Sequence, residues 1–164
     1  MNRIIAILTV FLLQLACMGV ASAQNNVSVA MHALKVVTTA TGTKLVPTEA
    51  AMPGDTIEYQ VTYSNTGATP ARDVLATLPV PKSGLAYVAG SAQPALVQGS
   101  LDGVTYAALP LTRTVTRNGK AVTEAVPVSE YRFLRWKLGD IAPGKSSTVS
   151  SRMRLDSAES NVRS

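Results

Sequence analysis

Ile57-Glu58-Tyr59-Gln60-Val61-Thr62-Tyr63-Ser64 alternates apolar or aromatic residues with polar ones along its whole length. A half-buried strand has this period of two, because successive side chains leave opposite faces of the pleat. Ile57, Tyr59, Val61 and Tyr63 are therefore expected to face a core, with Glu58, Gln60, Thr62 and Ser64 on the other side. Asn65-Thr66-Gly67 closes the segment with turn chemistry, and a loop from Pro47 to Asp55 leads into it. The segment sets the fold class as sheet rather than helix.

The same period recurs on both sides. Upstream, Val27, Val29, Met31 and Ala33 alternate with Ser28, Ala30 and His32, and the strand runs on through Leu34 to Val37. Thr41-Gly42-Thr43 reads as a turn, and Lys44-Leu45-Val46 as a short strand. Downstream, Ala71 to Leu78 is a strand closed by Pro79 and Pro81, which cannot donate to a ladder. Leu85 to Val88 is short and apolar. Asp102-Gly103, between Leu101 and Val104 to Tyr106, and Asn118-Gly119, between Thr112 to Arg117 and Lys120 to Ala125, are hairpin signals. The second hairpin is polar on both sides and is expected to project from the body. Arg132 to Leu138 puts Leu134, Trp136 and Leu138 on one face, and Thr148 to Leu155 puts Val149, Met153 and Leu155 inward. Short strands at this spacing, with Gly and Pro turns and no helical period, predict a single all-β domain over residues 24–155. The expected architecture is an immunoglobulin-like β-sandwich of about 7–9 strands.

The N-terminus carries the parts of a cleavable export signal in order. Arg3 is the only charged side chain before Lys35, Ile4 to Leu13 is apolar except for Thr9, and Ala21-Ser22-Ala23 is a small-x-small site before Gln24. Residues 1–23 thus read as a signal-peptide helix, cleaved between Ala23 and Gln24. The unbroken apolar run falls short of the roughly 20 residues that span a bilayer, so no membrane span is expected after cleavage. Cys17 follows Leu15-Ala16, but Gln14 stands where lipoprotein signals carry an apolar residue, which favours cleavage over lipidation. Cys17 is also the chain's only cysteine, so the mature domain must be held by its core and ladders without disulfides. Asp156 to Ser164 is polar and reads as a flexible tail. The expected location is the periplasm or the cell surface.

Three segments, in order, resemble the bacterial conserved repeat domain family, a domain of unknown function found in exported and surface proteins. They are Pro53-Gly54-Asp55-Thr56-Ile57-Glu58-Tyr59 running to Tyr63-Ser64-Asn65-Thr66-Gly67, Ala71-Arg72-Asp73-Val74 running through Leu78-Pro79 to Gly84-Leu85, and Leu134-Arg135-Trp136-Lys137-Leu138-Gly139 with Ala142-Pro143-Gly144-Lys145-Ser146. Leu34-Lys35 is similar to the family's lead-in. The resemblance implies an immunoglobulin-like sandwich and a structural or adhesive role at the cell envelope, with no activity or site residues to carry over. The chain departs from the family pattern in standing as one copy and in the extra hairpins of residues 90–130.

Few residues offer chemistry. A Ser-His-Asp constellation needs a histidine beside a nucleophile, and His32 lies on an alternating strand, on its polar face. Zinc would lack His and Cys ligands. Asp55, Asp73, Asp102 and Asp140 sit singly at turns rather than in a calcium-binding loop. No glycine pattern supports a nucleotide. No catalytic residue, cofactor or metal is expected. Lys35 suggests an isopeptide donor, but Thr148 to Leu155 holds no Asn acceptor, so a solvated lysine is expected. The net charge of +5 with 15% charged residues is mildly basic and lacks the dense clusters of a nucleic-acid binder.

Two partner expectations remain. If residues 132–138 and 147–155 form a hairpin through Gly139 to Lys145, then Arg135, Lys137, Arg152 and Arg154 share an outer face. That face suits an anionic envelope polymer or acidic protein, or it serves only to keep sheet edges from aggregating. Separately, strand 27–37 follows directly on the cleavage site and could pair with a neighbouring copy rather than within its own domain.

Overall fold

A computed structural model describes residues 26–48, 50–82 and 84–156. The expected signal segment with its Ala23–Gln24 cleavage site, and residues 157–164 of the polar tail, lie outside the described residues. Asp156, assigned to that tail from sequence, belongs to the body. Its N–H donates to the carbonyl of Gly84, and its carboxylate accepts from the N–H of Gly84 at 3.0 Å.

The β-sandwich expected from the alternation is the architecture, and every strand pair is antiparallel. The first sheet has the order β2 (Gly42–Pro47), β1 (Val27–Thr39), β3 (Thr56–Asn65), β11 (Ser146–Leu155), β5 (Leu85–Tyr87). The second has the order β4 (Ala71–Pro79), β10 (Phe133–Ile141), β6 (Gln98–Ser100), β7 (Ala107–Ala108). Strands β8 (Thr112–Arg117) and β9 (Lys120–Ala125) pair only with each other, as a ribbon that stands apart from both sheets. Asn118 and Gly119 form its two-residue turn between Arg117 and Lys120, with φ of 51° and 75°. Both values are positive, as the Asn-Gly pair predicted.

The core lies between the sheets. Val61, Val149 and Met153 of the first sheet pack with Ala76, Leu78, Leu134 and Trp136 of the second. Trp136 is fully buried, and its indole N–H donates to the carbonyl of Pro94 at 2.9 Å. Tyr131 is buried in the same core and stacks on Tyr87 with ring centroids 6.2 Å apart. Its hydroxyl accepts the buried N–H of Leu111 at the root of the ribbon, 2.9 Å away. The polar tips of Trp136 and Tyr131 thus have partners, as burial requires.

Two expectations are corrected. Residues 132–138 and 147–155 do not form a hairpin, because β10 belongs to the second sheet and β11 to the first. The intervening turn carries the chain across the sandwich, and β11 pairs with β3 and β5 instead. Around Asp102-Gly103 the ladder joins β6 to β7 rather than Leu101 to Val104–Tyr106. The Asp102 carboxylate captures the N–H groups of Val104 and Thr105, both at 2.8 Å, and so removes them from any ladder.

Asn65 ties the two sheets at one end. Its side chain is buried at 2% exposure, and its Nδ2 donates to the carbonyls of Thr69 and Ile141, each at 2.8 Å. Its Oδ1 accepts the N–H of Gly67 at 2.9 Å. The residue read as the start of a turn is therefore also a bolt between β3 and β10. Asn65→Ala should cost about 2–4 kcal/mol by leaving these buried groups unpaired, measured by chemical denaturation. Asn65→Asp should destabilise at neutral pH, because a carboxylate oxygen would face two carbonyls. The two carbonyls favour the protonated acid, which restores a donor, and so raise the folded-state pKa; that variant should regain stability as pH falls toward 4, opposite to a normal carboxylate.

Candidate functional site

The four cations expected on one face are split between the two faces of the sandwich. Arg135 and Lys137 lie on the outer side of β10, since Leu134 and Trp136 between and beside them are buried. Arg152 and Arg154 lie on the outer side of β11, because Val149 and Met153 point inward. The alternation assigned each side chain correctly to an outer face, and the missing hairpin places those faces on opposite sides of the molecule.

Two of the four are also engaged locally. The Arg135 guanidinium lies 3.4 Å over the centre of the Tyr106 ring, and its Nη2 donates to Gln98 Oε1 at 3.3 Å. Stacking of this kind anchors a cation against its own surface. Arg152 Nε donates to Glu58 Oε2 at 2.9 Å, and Gln60 Nε2 donates to the other carboxylate oxygen at 2.9 Å. Glu58 is 8% exposed despite lying on the outer face, because these neighbours cover it. Lys137 and Arg154 are exposed and have no ion-pair partner among the described residues.

The turn carboxylates are occupied with shaping the backbone. Asp102 accepts from Val104, Thr105 and the hydroxyl of Ser100, and these donors hold its pKa down at about 2. Asp140 accepts from the N–H of Asp73 and from Arg72 Nη1, both at 3.0 Å, across the register shifts of β10 on β4. Asp73 sits there with φ of 50°. Asp55 pairs with Lys35 Nζ at 2.7 Å and accepts the N–H of Met52 at 2.8 Å, and its carboxyl is held below its ordinary value by Lys35 first and Met52 second. Lys35 is therefore ion-paired rather than simply solvated. On the ribbon, Arg113 and Arg117 both grip Glu124, and Arg113 reaches Glu130 at 2.8 Å. His32 is exposed on the polar face of β1.

What the sequence reading missed is apolar. Along the first half of β1 the inner face is left uncovered by the second sheet, whose end strand β4 lines the same cleft. Val29 and Met31 remain 58% and 60% exposed although they share the inward side with Val61. They border an open cleft of about 370 Å³, whose other walls include Tyr59, Tyr63, Leu78 and Pro81. Burial pushes the Tyr63 phenol above its ordinary pKa, so it stays neutral in the cleft. A second apolar recess of about 320 Å³ opens beside Tyr87, Leu109 and Tyr131. Neither gathers ionisable groups able to exchange protons near neutral pH. Alternation in residues 27–33 identified the inner side of β1, but not that the facing sheet stops short of it.

None of the protein-family models, curated proteins or solved structures compared with this chain matches it. No described helix is long and apolar enough to cross a membrane.

Arg152→Ser should cost about 1–3 kcal/mol in denaturant unfolding, because it strips the partner from a covered carboxylate. Arg154→Ser should stay within about 0.5 kcal/mol. For Asp102, the ordinary pKa of 3.8 falls to about 2 on folding, so its contribution is present above pH 4 and is lost as pH drops toward 2. Asp102→Asn should flatten the stability–pH curve across that window, with carbon-detected carboxyl titration giving the wild-type midpoint.

Proposed function

We propose that the chain is an exported, non-enzymatic β-sandwich that acts as a structural or interaction module of the bacterial envelope. The observation that carries this reading is how the polar side chains at the turns are used. Asp55, Asn65, Asp102 and Asp140 each satisfy nearby backbone groups, and two of them also hold a cation. An acid, base or nucleophile needs a polar group free to meet a substrate, and these are committed to the fold. The export signal at Arg3 to Gln24 supports the location. The resemblance to the conserved repeat domain family supports the envelope role.

Surfaces open to a partner include the cleft beside β1 and the ribbon of β8 and β9. The ribbon is ordered by ion pairs rather than by burial in the core, as suits an arm held out from the body. Its root is fixed where Val126 donates its N–H to the carbonyl of Leu111 at 2.8 Å.

Expression with the native N-terminus in a Gram-negative host, followed by fractionation and N-terminal sequencing, should find a mature chain beginning at Gln24 in the periplasmic or surface fraction. A chain beginning at Met1 in the cytoplasm would overturn the export reading. Photo-crosslinking groups placed at Met31 and Arg117 should give discrete adducts in intact cells, and adducts at neither position would overturn the interaction reading.

A further inference from the structure

An edge strand offers unpaired N–H and C=O groups to any chain that can lie beside it, and stable sheets blunt their edges with charge, proline, bulges or brevity. Most edges of this sandwich are blunted in these ways. Strand β2 carries Lys44 and ends in Pro47. Strand β4 carries Arg72 and Asp73 at register shifts and ends in Pro79. Strands β5 and β7 have three and two residues.

The first half of β1 differs. Strand β2 covers it only from Leu34 to Thr39. Val27-Ser28-Val29-Ala30-Met31-His32-Ala33 therefore forms a free edge with no Lys, Arg, Asp, Glu or Pro. Among the described strands it is the long edge left without such a guard.

Register fixes which groups point outward. Val27 stands opposite Asn65, and the N–H of Thr66 donates to the carbonyl of Asn26 at 2.8 Å. Bonding alternates along an antiparallel pair, so the even-numbered residues of β1 bond to β3. Val27, Val29, Met31 and Ala33 direct their N–H and C=O groups to the open side.

We propose that this edge pairs antiparallel with the same edge of a second copy, about a two-fold axis at Ala30. It is self-complementary in that register. Val27 faces Ala33 of the other copy, Val29 faces Met31, and Ser28 faces His32. Every outward-bonding residue meets another outward-bonding residue, so four residues on each copy form eight main-chain hydrogen bonds between them. Side chains at paired positions share a face, so Val29 and Met31, each more than half exposed in one copy, cover one another across the junction. No charged side chains are brought together along the seven residues. The pairing joins two five-stranded sheets into one and is isologous, so it closes at a dimer. It is sheet extension beside β1, which keeps its own pairing with β3, rather than donation of the strand to a neighbour. The proposal names a partner for the interaction module and rests on that reading for its place in the cell, while its geometry comes from the edge alone.

Ala30 faces its own counterpart in a non-hydrogen-bonded position, where Cα atoms lie about 4.5 Å apart, within disulfide range. Cys17 precedes the expected cleavage site, so the exported protein offers no competing thiol. Under mild oxidation, purified Ala30→Cys should run as a covalent dimer on non-reducing gels, while His32→Cys, set against Ser28, should stay largely monomeric. In sedimentation equilibrium the wild type should be dimeric. Val29→Lys combined with Met31→Lys should weaken the dimer at least about tenfold, since each new lysine opposes another across the axis. Val29→Lys combined with Met31→Glu should restore it, because opposite charges then face each other. Met31→Pro removes an N–H aimed at the open side and should give a folded monomer, with its β-sheet circular dichroism retained. A monomeric wild type at high micromolar concentration, equal cross-linking at positions 30 and 32, or insensitivity to the charge pairs would overturn the proposal. N-terminal sequencing of the same preparation reports on export separately.

Discussion

The carboxamide of Asn65 holds the two sheets in register at one end, and much else depends on it. A sandwich without disulfides has only side-chain packing between its layers, which fixes their separation better than their relative slide. Asn65 adds direction. It reaches from the end of β3 to the carbonyl of Ile141 at the end of β10 and organises the turn into β4 at the same time. Its own backbone N–H and carbonyl bond to Lys145 and Gly144 in the turn before β11. One residue thus specifies where four strands begin or end, with its side chain and its backbone both engaged.

The strands were legible because alternation is a direct imprint of burial. The pattern around Ile57 to Ser64, the inward trio Leu134, Trp136 and Leu138, and the Asn118-Gly119 turn all appear where the sequence puts them. What alternation does not encode is which sheet a strand joins. Residues 133–141 and 146–155 are neighbours in sequence with a short turn between them, and such pairs usually form hairpins. Here the turn crosses the core, and nothing in its Gly and Pro content distinguishes the two outcomes. That single ambiguity separated Arg135 and Lys137 from Arg152 and Arg154. The Asp102 segment failed differently. Its Gly103 does occupy a turn, with φ of 79°, but side-chain acceptance at Asp102 replaced the ladder that the flanking apolar residues suggested.

The electrostatics follow from the same organisation. With few charged residues, this chain sets most of its carboxylates against a cation or a row of N–H groups, and those contacts hold turns, bulges and the ribbon. Glu58 illustrates the consequence: alternation correctly turned it away from the core, yet Arg152 and Gln60 close over it until it is almost buried. Exposure read from strand parity therefore fails where long polar side chains on adjacent strands lie across one another. The informative surface lies instead where the sheets differ in width and apolar side chains of β1 stand without a facing layer.

Strand β11 is the last of the described strands and sits inside the first sheet, between β3 and β5. During synthesis β1, β2 and β3 can pair with one another, but β5, whose ladder runs to β11, must wait until residue 155 has emerged. Contacts of such long sequence separation make folding slow, because the connecting chain has to be ordered before the ladder compensates. The order of synthesis and the order of assembly therefore part at β5, which precedes in sequence the strand that holds it in the sheet. Residues 146–155 thus complete the first sheet, joining β5 to a ladder that β1 and β3 have already begun.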